Sequence, residues 1–155
     1  MLKTKIFNFW AGGWLPKKRA GGIVRPAGEE TNFSSVRFTT RQLSCFTQLH
    51  ELFYDINKTK IIPVNISDFI TPVSLAYWAM DDGSKQAKGF HLNTQNYTLE
   101  GVKILSEVLL TKFNLDNSIQ SHKNGYRIYI KVNSKDNFVN LVRPYFHSSM
   151  LYKLL

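Results

Sequence analysis

Two acids stand side by side at Asp81 and Asp82, and Gly83 follows them. The residues before them, 72–80, are apolar or small apart from Ser74 and Tyr77. Thr71-Pro72 opens this run as a helix start: threonine can cap, and proline fits the first helical position, where no N–H is needed. Gly83 reads as its stop. Asp81 and Asp82 therefore fall at a helix C-terminus, where the dipole is already negative by about half a charge. Each carboxylate costs about 0.3–1 kcal/mol there unless a cation compensates. A divalent cation inverts that sign. Mg²⁺ is satisfied by one or two carboxylates together with water and phosphate oxygens. The pair reads either as an ordinary solvated helix end or as an oxygen-rich metal site beside a phosphate.

The rest of the composition favours the phosphate. The chain has 155 residues, with 20 Lys and Arg against 11 Asp and Glu, a formal net charge of +9. A surplus of that size suits a polyanion, nucleic acid before an acidic membrane surface. Hydrophobic residues make up 43% and aromatics 14%, enough for a core, which excludes a wholly disordered chain. The single cysteine, Cys45, excludes an internal disulfide framework and a Cys-cluster metal site. No apolar run approaches the roughly 18 residues of a membrane span.

Charge is uneven along the chain. Residues 1–28 hold six basic residues and no acid, and Gly, Ala, Pro and Arg fill 12 of the 18 positions from 11 to 28. Residues 1–34 are expected to be a basic, Gly-rich and poorly ordered arm. A transit peptide competes with that reading, but serine is absent from residues 1–28 and glycines interrupt any helix.

The elements that must position the acids follow from periodicity. Residues 36–40 alternate as a strand, and Cys45, Leu49, Leu52, Phe53 and Ile56 recur at helical spacing over 44–56. After the helix at 71–83, a hairpin is predicted over 85–95 with its turn at Ala87-Lys88-Gly89. A helix over 98–113 carries the stripe Val102, Leu105, Leu109 and Phe113. Asn124-Gly125 marks a second hairpin over 118–131. A short helix runs from 136 to 141 or 142 and stops before Pro144. From Pro72 onward the order is αββαββα. This is an α+β domain: a four-stranded antiparallel sheet with helices over its one apolar face.

Alternation assigns the other face. His91, Asn93, Gln95, Gln120, His122, Arg127, Tyr129 and Lys131 point outward, and no acid is among them. Amides, Arg, Lys and His read base edges and hold phosphates. This set, with Lys85 of the first hairpin, is the expected DNA-binding surface.

The stretch Leu75-Ala76-Tyr77-Trp78-Ala79-Met80-Asp81-Asp82-Gly83 resembles the nine-residue signature of the LAGLIDADG homing endonucleases. It is most similar to the branch encoded in mitochondrial group I introns, typified by the yeast omega-intron endonuclease. Leu92-Asn93-Thr94-Gln95, Arg143-Pro144-Tyr145 and Met150-Leu151-Tyr152-Lys153-Leu154 match further along. The resemblance implies that Asp82, with Gly83 beside it, is the metal position for Mg²⁺ or Mn²⁺. It implies that Lys153 acts near the scissile phosphate, and that Gln95 positions water or contacts DNA. It also implies that two halves pack their signature helices together through Leu75, Ala76, Trp78 and Ala79. Tyr77 departs from the glycine many relatives carry, and no second signature precedes residue 75.

The expected organisation is therefore an arm at 1–34, a strand–helix remnant of a preceding half at 35–70, and a complete half at 71–155. Double-stranded DNA is the expected partner, together with a second half or a second copy of the chain. No membrane is expected, and the expected compartment is a mitochondrion, or else a plastid. Two alternatives stay open: an intron RNA-binding maturase, and an inactive truncated fragment.

Overall fold

The computed structural model describes residues 43–155. The expected arm and the strand at 36–40 lie outside them.

A 3₁₀ turn at Ser44–Phe46 leads into α1 at Thr47–Phe53. This helix is shorter than its periodicity suggests. Asp55 breaks it by accepting the N–H groups of Asn57 and Thr59 at 2.9 and 2.8 Å, and Ile56, expected on the apolar stripe, is 98% exposed. Competition from a short acidic side chain for backbone donors is the usual cause of such a stop. The chain then doubles back through a Tyr54–Lys60 bridge. Phe53, Ile62, Ile66 and Ile70 join the same buried cluster as the sheet.

Helix α2 spans Pro72–Asp82. Thr71 and Ser74 form a reciprocal capping box, which satisfies two donors at the helix start. Strand β1 (Gly83–Lys85) follows with no intervening loop, and β2 is Phe90–Asn93. Gly83 is therefore a strand residue with ordinary extended angles, not a left-handed helix stop. Glycine is needed for clearance: a Cβ here would lie 2.2 Å from the Ala79 carbonyl oxygen and 2.6 Å from the Phe90 ring.

Helix α3 (Leu99–Phe113) is capped by Thr98 and ends at Asn114 in the left-handed conformation. Strands β3 (Asn117–His122) and β4 (Gly125–Ile130) form the second hairpin. Helix α4 (Val132–Val142) begins four residues before its expected start, at the first residue after Lys131. Ser134, near its N-terminus, accepts the Asp116 N–H at 2.8 Å. A 3₁₀ turn at Arg143–Tyr145 and another at Ser148–Lys153 carry the chain to its end.

All four strands pair antiparallel in the order β1-β2-β4-β3. Phe90, Leu92, Ile128 and Ile130 form the buried face, packed with Val102, Leu105 and Leu109 of α3, Leu75 of α2, and Phe138 and Val142 of α4. The α+β, αββαββα architecture read from periodicity is the architecture found. No helix among the described residues is long and apolar enough to cross a membrane.

One expectation about surfaces is corrected. Leu75, Ala76, Trp78 and Ala79 do not form an uncovered face of α2: all four are buried within the chain, at 7% exposure or less. A helix with elements packed on more than one side cannot be divided into core and interface stripes from its own sequence. The large apolar side chain that α2 leaves at the surface is Tyr77, and Asp81 and Asp82 are exposed at its end.

Candidate nucleic-acid and metal site

The site begins at the last turn of α2. Asp82 keeps contact with solvent, yet its carboxyl is crowded. Burial pushes its pKa above the usual carboxylate range, and the neighbouring Asp81 pushes the same way. The charges of Lys60 and Lys153 act in the opposite direction. Burial and the like charge thus oppose its ionisation, and the two lysines partly offset them. Such a group gains when a divalent cation arrives, so its chemistry fits a metal ligand.

Among the described residues no cluster of three or more His, Cys, Asp and Glu could hold a metal. Asp82 is therefore not part of such a cluster, and a cation held there would need further ligands from water and phosphate oxygens. Gly83 brings clearance rather than a donor side chain, and its own N–H is spent on the Ala79 carbonyl.

Lys153 reaches the same helix end from the last turn of the chain. Its ammonium donates to the Met80 carbonyl at 2.5 Å. The His147 N–H meets the Met80 sulfur at 3.3 Å, so one methionine anchors the C-terminal segment at two points. Two further neighbours escaped sequence reasoning. Lys60 lies in an irregular bridge, where nothing in its spacing marks it. Tyr97 is a half-buried side chain whose hydroxyl is raised well above its ordinary pKa, first by burial and then by the charge of Asp82.

The sheet carries the rest. The register Gly83↔Leu92 brings the end of α2 level with the Leu92–Asn93 end of β2. On the outer face Asn93, Arg127 and Gln120 form one cross-strand row. Ser84, His91, Tyr129 and Ser118 form the next. Residues directly opposite in a ladder share a face, so these rows realise most of the expected outward set. The His91 ring lies edge-on to Tyr129 at 5.2 Å. Its Nε2 meets Gln120 Oε1 at 2.9 Å, a bond that spans the intervening strand β4. Burial holds the His91 pKa below its ordinary value, and the nearby Arg127 and His122 add to that. Among the described residues, His91 Nδ1 and Arg127 Nε are buried without a hydrogen-bond partner.

Three expected contacts sit differently. Lys85 pairs with Phe90 across the ladder and so lies at the core-facing edge rather than on the polar face. Lys131 lies past the end of β4, and its ammonium is engaged by Asp116 at 2.9 Å. Gln95 lies beyond β2 and donates to Asn93 Oδ1 at 3.3 Å. Its backbone is crossed by Gly125, whose φ of +134° and 2.6 Å clearance to the Gln95 carbonyl admit no side chain. His122 stands exposed at the same turn.

Helix α2 thus ends in a carboxylate, is backed by Lys153, and stands beside a sheet whose strands carry no acid. The chain belongs to the LAGLIDADG DNA endonuclease family, whose sequence pattern matches residues 17–138. It is 38% identical over 123 residues to a cytochrome b mRNA maturase bI2 of Debaryomyces hansenii, covering 77% of this chain and 46% of that protein. It is 40% identical over 126 residues to a probable intron-encoded endonuclease 1 of Wickerhamomyces canadensis, covering 77% and 54%. An intron-encoded endonuclease ai4 of Dictyostelium discoideum is 34% identical over 125 residues, with 79% of each chain covered. Among solved structures, the homing endonuclease I-WcaI bound to its DNA recognition sequence superposes with a TM-score of 0.68 and 42% identity. That match covers 71% of this chain and 52% of the other, so the chain spans about half the length of several of its relatives.

Proposed function

We propose that the chain is a site-specific, intron-encoded DNA endonuclease half that hydrolyses phosphodiester bonds with a divalent metal, in an organelle such as the mitochondrion. The observation that carries this reading is Asp82, a crowded carboxylate between Asp81, Lys60 and Lys153 at the end of the signature helix. Asp82 would hold Mg²⁺ or Mn²⁺, which when bound supplies an activated water and stabilisation of the leaving oxygen. Lys153, fixed on the Met80 carbonyl, places a cation where phosphate charge develops. The row Asn93, Arg127 and Gln120 faces the duplex, and the two-stranded ribbon β3–β4 matches the width of a major groove.

The second half is part of the proposal. Coverage of about half of several relatives fits a single half. A second copy, or a separate first half, would bring the counterpart of Asp82. The test is cleavage in Mg²⁺ of a duplex carrying the uninterrupted insertion site. Cutting that persists in Asp82→Asn would overturn the assignment. A second reading, RNA binding in intron splicing, is favoured by the maturase name of a relative at 38% identity. Accelerated splicing of the host intron by a chain that leaves the duplex intact would select it.

A further inference from the structure

His91 and Gln120 form a unit whose consequence reaches beyond general DNA binding. An amide oxygen only accepts, so the 2.9 Å contact requires a hydrogen on His91 Nε2. That holds whether the ring is neutral or cationic, because both states can carry the hydrogen there. The ring is kept in place on all sides: His91 is 7% exposed and packs edge-on against Tyr129. The bond takes one of the two lone pairs of the Gln120 oxygen and turns that oxygen toward β2. Among the described residues its amide nitrogen has no hydrogen-bond partner, and Gln120 stands half-exposed beside Arg127 on the polar face.

A free glutamine reads adenine with both ends, donating to N7 while accepting from the N6 amine. A glutamine whose oxygen is turned toward a neighbouring side chain leads with its amine, whose two hydrogens donate to acceptor edges. We propose that His91 is a specificity-determining residue: by holding the Gln120 oxygen toward itself, it biases Gln120 away from the two-ended reading of adenine and toward acceptor edges, guanine O6 and N7 first. This rests on the DNA-binding reading given above. His91 itself need not touch a base. Its Nδ1 is buried, so its influence passes through Gln120.

The test is selection of bound duplexes from a randomised library by the wild-type chain and by His91→Phe. Phenylalanine keeps the ring against Tyr129 and removes the donor. The wild type is expected to enrich guanine at a position that Gln120→Leu leaves unselected. His91→Phe should turn that position toward adenine, with a change in the guanine-to-adenine ratio of about tenfold, in line with one bidentate contact. Retention of guanine by His91→Phe overturns the inference and leaves DNA binding intact. Failure of the wild type to enrich any sequence sinks the DNA-binding reading instead. Nitrogen-15 shifts of the His91 imidazole then decide the inference independently of DNA: a protonated Nε2 that becomes free in Gln120→Leu supports it, and an unprotonated Nε2 refutes it.

Discussion

Lys153 places its ammonium on the carbonyl oxygen of Met80, 73 residues away in sequence, at 2.5 Å. The carbonyls in the last turn of a helix lack intrahelical partners, and a cation there is favoured by the dipole. Asp82 occupies the same turn and carries the opposite charge. One lysine therefore both closes the helix end and tempers the carboxylate beside it. Lys153→Met is expected to slow cleavage by about 10²-fold, the low end for a positioned proton-transfer or charge-stabilising group. Duplex affinity should change much less. Single-turnover cleavage and equilibrium binding, measured on the same variant, separate the two. A loss confined to binding would make Lys153 a phosphate anchor.

Asp82→Asn should abolish cleavage and leave DNA affinity nearly intact. Without metal the variant should melt at a higher temperature than the wild type, because it removes a charge that burial and Asp81 both oppose. Added Mg²⁺ should raise the wild-type melting temperature more than that of the variant. Thermal scans with and without Mg²⁺ check the pair of statements, and a lower metal-free melting temperature for Asp82→Asn would contradict them.

Gly83→Ala should destabilise the fold by about 1–3 kcal/mol, as overpacking does. The added Cβ meets backbone at 2.2 Å, which cannot move aside as a flexible side-chain tip can. Urea melts give the number. An unchanged midpoint would show that α2 can separate from β1 without cost.

His91 sets an acid limit on stability. Its folded pKa lies below the ordinary 6.5, so the unfolded chain binds more protons in the window between the two values. Stability is then fully present above about pH 6.5 and is lost as pH falls through that window. The raised pKa of Asp82 slopes the other way, so the useful measurement is the difference between wild type and His91→Phe. That difference should shrink in favour of the variant between about pH 7 and pH 5. Parallel curves would show that His91 is not held neutral.

Arg127→Ala should relax base preference by about 1–3 kcal/mol at one position of the target, if Arg127 reads guanine from the centre of its cross-strand row. Binding to the preferred duplex and to a scrambled duplex distinguishes the roles. Equal losses on both would reduce Arg127 to a phosphate contact.

What the sequence determined by itself is local. Thr71-Pro72, the stripe from Val102 to Leu109, Asn124-Gly125 and the period-two strands each encode an element through contacts within a few residues, and all four elements form. The same alternation placed His91, Asn93, Gln120, Arg127 and Tyr129 on one face, because side-chain direction in a strand depends on parity alone. Parity could not see the Asp116 carboxylate that engages Lys131, nor that β4 inserts between β2 and β3, which is what brings His91 to Gln120. The stop of α1 at Phe53, the start of α4 at Val132 and the clearance role of Gly83 depend on neighbours that periodicity does not contain. Tertiary packing alone decided the environment of Asp82: it buried Leu75, Ala76, Trp78 and Ala79, brought the charges of Lys60 and Lys153 to bear on the carboxylate, and set Tyr97 within reach of its field. Burial and charge–charge energies are set by distances in space, and residues far apart in the chain acquire those distances only when the core closes.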